Sequence, residues 1–86
     1  MSEAADVVLK SVREGLAAEL RLPVDEIGPE SKLDNLPNAD SVRLLRVVAK
    51  LENQYDVEFE DDDVRDASTV SDLVGLVVAA RSAAGR

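Results

Sequence analysis

Eighty-six residues suffice for one small domain and lie near the lower limit at which a chain buries enough surface to fold unaided, so a multidomain enzyme is excluded. Eighteen acidic residues against ten Lys and Arg give a net charge of -8, which works against nucleic acid and anionic membrane surfaces as partners. With no cysteine and no histidine there is no disulfide framework, no zinc-thiolate site, no thiol nucleophile and none of the commonest general bases, so most catalytic constellations are excluded. The opening residues lack the basic-then-apolar profile of a signal peptide, and no apolar run approaches the roughly 20 residues that span a bilayer. The chain therefore reads as a single cytoplasmic domain over residues 1–86. Tyr55 and Phe59 are the only aromatic residues, which leaves a core of Val, Leu and Ala suited to packed helices.

From Glu3 to Leu20, Ala5, Leu9, Val12, Leu16 and Leu20 recur at steps of three and four, the period of a helix with one buried face. Ser2 is a candidate cap, and Glu3 and Asp6 suit the positive end of the helix dipole. Pro23 stops this helix. A loop containing Gly28, Pro29 and Pro37 then runs to Asp40, with Leu22, Val24, Ile27, Leu33 and Leu36 as apolar pins. Asp40 and Ser41 are both good caps for a second helix ending near Tyr55, whose inward stripe is Leu44, Val47, Val48, Leu51 and Tyr55. A short helix is expected at Glu60 to Arg65. A last helix opens at Ser68-Thr69, where Thr69 and Asp72 have capping-box spacing, and buries Val70, Leu73, Val74, Val77 and Ala80. Gly75 within it points to close backbone packing, and residues 82–86 are expected to fray. The expected fold is all-α: a small antiparallel four-helix bundle of three long helices and a short third, with a long loop between the first two.

Placing the stripe of the second helix inward leaves Val42, Leu45 and Ala49 on its outer surface, with Arg43, Arg46 and Lys50 beside them. Any one such residue is ordinary on a protein surface; together they read as a docking face with an apolar contact and a basic border. Asp40-Ser41 heads this helix. In one reading either residue is only the N-cap; in the other, a serine at a helix N-terminus bears a phosphate that meets free backbone N–H groups and the positive dipole end. Ser41 cannot be the nucleophile of a local triad, since His and Cys are absent and Lys50 lies more than two turns away.

Leu36-Pro37-Asn38-Ala39-Asp40-Ser41-Val42, followed by Leu51-Glu52-Asn53-Gln54-Tyr55-Asp56-Val57-Glu58-Phe59 and then Ser68-Thr69-Val70, resembles the acyl carrier protein family, and the resemblance covers nearly the whole chain. It implies that a phosphopantetheinyl transferase attaches 4'-phosphopantetheine from coenzyme A to Ser41, with Asp40 supporting the attachment motif. The arm's thiol then carries an acyl or aminoacyl group as a thioester to partners such as an acyltransferase or ketosynthase. The protein would be a monomeric carrier and not an enzyme, its missing sulfur arriving with the cofactor.

Two departures stand out. Pro37-Asn38-Ala39 replaces the family's Gly before the Asp-Ser pair and is one residue longer, and Val42 replaces Leu. Arg43 and Arg46 occupy positions that are commonly acidic in fatty-acid synthesis carriers, which suits a freestanding carrier of a specialised polyketide or nonribosomal peptide pathway. Charge reversal at Arg43 and Arg46 is then expected to weaken transfer by dedicated partners and leave the fold intact. The alternatives are a peptidyl carrier protein and, from another class, a small acidic helical interaction module with no prosthetic group, docking through Val42, Leu45 and Ala49. The acidic run from Asp56 to Asp66 lacks the ligand order and glycine of a calcium loop.

Overall fold

The structure, a computed structural model, describes residues 3–84, with side chains over residues 5–82. Among these described residues four helices form in the expected order: α1 (Glu3–Leu20), α2 (Ser41–Tyr55), α3 (Asp61–Asp66) and α4 (Val70–Ala84). The proposed Ser2 cap and the last two residues lie outside the described part. α1 packs against both α2 and α4, and α3 lies against α4, giving the all-α bundle that the aliphatic composition favours.

Val8, Val12, Leu16 and Leu20 form the fully buried stripe of α1, while Ala5 and Leu9 are half-buried and Val7 is 57% exposed. The run Val7-Val8-Leu9 carries no helical phase of its own, so packing decides which residue turns inward, and it selects Val8. α1 ends through its backbone and not through Pro23. Arg21 adopts a left-handed conformation with φ 60, and the Leu22 N–H reaches back to the Ala17 carbonyl at 3.0 Å. Pro23 then only prevents resumption.

The long loop is not irregular throughout. It contains two single turns of 3-10 helix, Val24–Glu26 and Leu33–Asn35, and buries Ile27, Leu33 and Leu36. Arg13 of α1 donates from Nε to the Ile27 carbonyl at 2.6 Å and from Nη2 to the Val24 carbonyl at 3.0 Å, which satisfies loop acceptors beside the core. The other end of the loop is bonded to the start of α4: the Val70 and Ser71 N–H groups donate to the Ser31 and Pro29 carbonyls, and the Leu33 N–H donates to the Ser68 carbonyl. A segment that has to cross the bundle is thus tied to helix ends that need partners.

The capping box forms as its spacing predicts. The Asp72 carboxylate accepts from the Ser68 and Thr69 N–H groups at 2.8 and 3.1 Å, and the Thr69 hydroxyl accepts from the Asp72 N–H at 3.2 Å. These two backbone hydrogen bonds hold the Asp72 carboxyl below its ordinary value of 3.8. A depressed carboxyl contributes stability above its unfolded pKa and loses that contribution as pH falls through the lower folded value. Asp72→Asn is therefore expected to be less stable than the parent near neutrality, with the gap closing below pH 3.8 in urea titrations run as a pH series.

Val70, Leu73, Val74 and Val77 of α4 are buried and Ala80 is half-buried. Arg81 stacks over the Tyr55 ring at 5.1 Å and joins the far ends of α2 and α4. α4 is helical through Ala84. One expectation for it is corrected. Gly75 is exposed, and a Cβ built there meets no atom within 4 Å, so close packing is not its reason and the structure offers no other. Gly75→Ala is accordingly expected to stabilise the protein by about 1 kcal/mol, readable as a Tm rise of roughly 4–8 °C.

Candidate functional site

The N-terminus of α2 brings the loop, α1 and the Asp40-Ser41 pair together. Asp40 is the N-cap: its backbone is extended, its carboxylate accepts from the Arg43 N–H at 2.8 Å, and its carbonyl accepts from the Leu44 N–H at 2.9 Å. Ser41, the first helical residue, is released from capping and its side chain is exposed. The Ser41 and Val42 N–H groups have no hydrogen-bond partner among the described residues and remain the first turn's open donors beside that hydroxyl.

Asn38 explains how this chain enters α2 without the glycine that the resemblance leads one to expect. Its φ of 66 is in the left-handed region, which Asn tolerates better than most residues. Its Nδ2 donates to the Leu20 carbonyl at 2.8 Å, filling an acceptor at the C-terminus of α1, and its own carbonyl accepts from Arg43 Nη1 at 3.4 Å. Asn38 thus holds the head of α2 against the end of α1. The sequence signal was present in the Pro37-Asn38 pair, a turn-forming dipeptide.

Ser41 also lines the mouth of a cleft of about 680 Å³ between α2 and α3. Buried Leu33, Val48 and Leu73 form its base, half-buried Phe59 and Val64 its far side, and exposed Leu45 its lip. Glu52 holds the cleft's shape by accepting from the Phe59 N–H at 2.9 Å, which fixes the segment before α3 to α2. In the sequence Glu52 and Phe59 stand out only as part of the block that carries the resemblance, and Asp34 not at all; their convergence depends on the α2–α3 connection.

The outer face of α2 divides into two parts. Val42 and Leu45 are both 59% exposed and Ala49 is exposed; Leu45 and Ala49 lie along the cleft. Arg46 and Lys50 lie on the α1 side, where both bond Glu19 at 3.3 and 3.5 Å. Burial acts to raise the Glu19 pKa, but hydrogen bonds from Arg46 and Lys50 outweigh it and leave the carboxyl below 4.5. Arg43 is half-buried and pairs with Asp40 at 3.8 Å. Charge reversal at Arg46 would set a second carboxylate beside Glu19 and is expected to cost some stability, a qualification that its charge pattern alone does not reveal.

The family of the phosphopantetheine attachment site matches residues 10–77. The chain is 33% identical over 70 residues to an acyl carrier protein of Exiguobacterium, covering 81% of this chain and 89% of that protein. It is 31% identical over 71 residues to an acyl carrier protein of Chlorobium phaeobacteroides, covering 83% and 91%. It is 35% identical over 78 residues to acyl carrier protein 3 of Ralstonia nicotianae, covering 91% and 90%. The prosthetic group that these matches imply is covalent 4'-phosphopantetheine, and the role is that of a carrier acted on by enzymes, not of a catalyst. A four-helix bundle with the family's pattern over most of its length makes this chain a member of the acyl carrier protein family.

Proposed function

We propose that Ser41 is the attachment residue and that the protein carries an acyl group to the dedicated enzymes of a specialised polyketide-type pathway. The observation that carries the first part is the position of Ser41: an exposed hydroxyl in the first turn of α2, freed from capping by Asp40 and set at the mouth of an apolar cleft. These residues fit the phosphopantetheine group. Its phosphate on Ser41 would sit beside the open Ser41 and Val42 N–H groups at the positive end of the helix dipole. When bound, the arm supplies the thiol on which the acyl group is held as a thioester. Asp40 and Asn38 keep the serine presented, and the cleft offers a short aliphatic chain a dry surface beside it.

Partner choice rests on the outer face of α2, with Val42, Leu45 and Ala49 as the apolar contact and Arg43, Arg46 and Lys50 as its basic border. Arg46 and Lys50 remain 63% and 64% exposed although they bond Glu19, so they present positive charge on a chain of net charge -8. Partners with apolar pockets rimmed by acids fit this face, as does a monomeric cytoplasmic carrier that visits several enzymes. Leu45→Ala is expected to raise the KM of its loading enzyme roughly tenfold by removing an exposed apolar anchor, with the melting temperature little changed. An unchanged KM would remove Leu45 from the docking face.

Incubation with coenzyme A and a broad-specificity phosphopantetheinyl transferase tests the carrier reading. One phosphopantetheine per chain is expected in the intact mass. No added mass with any transferase tried would favour the interaction module without a prosthetic group.

A further inference from the structure

The cleft beside Ser41 has an uneven electrostatic rim. Among the described residues, Asp34, Glu52 and Asp61 line it with a single cation, Arg65. That cation shares its charge with Asp62, which its Nη1 bonds at 3.1 Å in an exposed pair, so the rim stays acidic on balance. Glu52 is partly satisfied by the Phe59 N–H, whereas Asp34 and Asp61 are exposed at the opening. The space inside is bounded by Leu33, Leu44, Val48, Phe59, Val64 and Leu73, none of which offers a polar side-chain atom to a buried charge.

Resting on the carrier reading above, we infer that this cleft selects cargo by the charge at the far end of its chain: uncharged or amine-ended aliphatic acyl groups enter, and chains ending in a carboxylate are held out. Two effects act in the same direction. A terminal carboxylate in an aliphatic cleft loses its water without gaining a donor. It also approaches three carboxylates of like sign against one guanidinium, which Asp62 shares. A methyl terminus suffers neither effect and gains from burial. An ammonium terminus loses water too, but Asp34 and Asp61 at the opening attract it. Asp34 and Asp61 are thus specificity-determining residues, contributed by the long loop and by the first turn of α3.

The test uses three chains of equal length, octanoyl, 8-aminooctanoyl and octanedioyl, each loaded from its coenzyme A thioester onto the full chain by a promiscuous transferase. Cleavage of each thioester by hydroxylamine is compared with that of the same acyl pantetheine free in solution. The octanoyl form is expected to be protected about tenfold and the octanedioyl form less than about twofold, with the 8-aminooctanoyl form between them. Asp34→Asn combined with Asp61→Asn is expected to raise octanedioyl protection about threefold and leave octanoyl protection unchanged. Equal protection of octanoyl and octanedioyl, no protection of octanoyl, or no response to the double variant would overturn the inference. Failure of the transferase to load Ser41 would instead overturn the carrier reading on which it rests.

Discussion

Ser41→Ala is expected to abolish phosphopantetheine attachment while leaving folding stability within about 0.5 kcal/mol of the parent. The two halves of that result come from the same geometry. Ser41 is exposed and is not the cap, so its hydroxyl holds nothing together in the fold. Removing it takes away the one atom on which attachment is proposed to occur, and no other hydroxyl side chain occurs between Leu33 and Gln54. Asp40→Ala should separate in the opposite sense. It deletes the bond to the Arg43 N–H and costs about 1 kcal/mol of stability, but leaves the hydroxyl in place, so attachment slows and does not vanish. Transferase reactions followed by intact mass, alongside urea unfolding, measure both.

The largest effect on stability is expected at Ile27. Ile27→Ala should cost about 2–4 kcal/mol, a large part of what a domain of this size possesses. Ile27 is fully buried although it lies in a loop, and its carbonyl receives the 2.6 Å hydrogen bond from Arg13. Emptying that position leaves a cavity between α1 and the loop and loosens the turn that Arg13 holds. The consequence extends to function, because the same loop continues through Leu33 and Leu36 to Asn38 and the head of α2. Ile27→Val, which keeps the branch and loses one methylene, is expected to cost only about 0.5–1.5 kcal/mol and serves where the alanine variant fails to fold. The urea midpoint reads both.

Much of this was legible from residue order alone. The helices of strongest period were placed to within a residue or two, and the Thr69-Asp72 capping box formed as its spacing requires, because both depend on contacts within one turn or one face. Long-range terms account for what was missed. Val8 replaces its neighbours in the core because three consecutive apolar residues leave the phase to tertiary packing. Glu19 lies 27 and 31 positions from the cations it binds, and no local pattern links them. Whether Asp40 or Ser41 caps α2 was open in the sequence, since either residue type serves. The structure settles it on Asp40 because the carboxylate reaches the third amide of the helix. The cleft was invisible for a similar reason: it exists only where α2, α3 and the long loop meet, and its mouth at Ser41 is what joins the fold to the proposed chemistry.

Whether Ser41 bears an arm loaded with acyl cargo is read from peptide-level mass spectrometry of the protein recovered from its own cells. Phosphopantetheine is expected on the peptide containing Ser41, with part of the population carrying an additional acyl mass that has no terminal carboxylate. An unmodified Ser41 peptide in every preparation, or the arm on another residue, would contradict it.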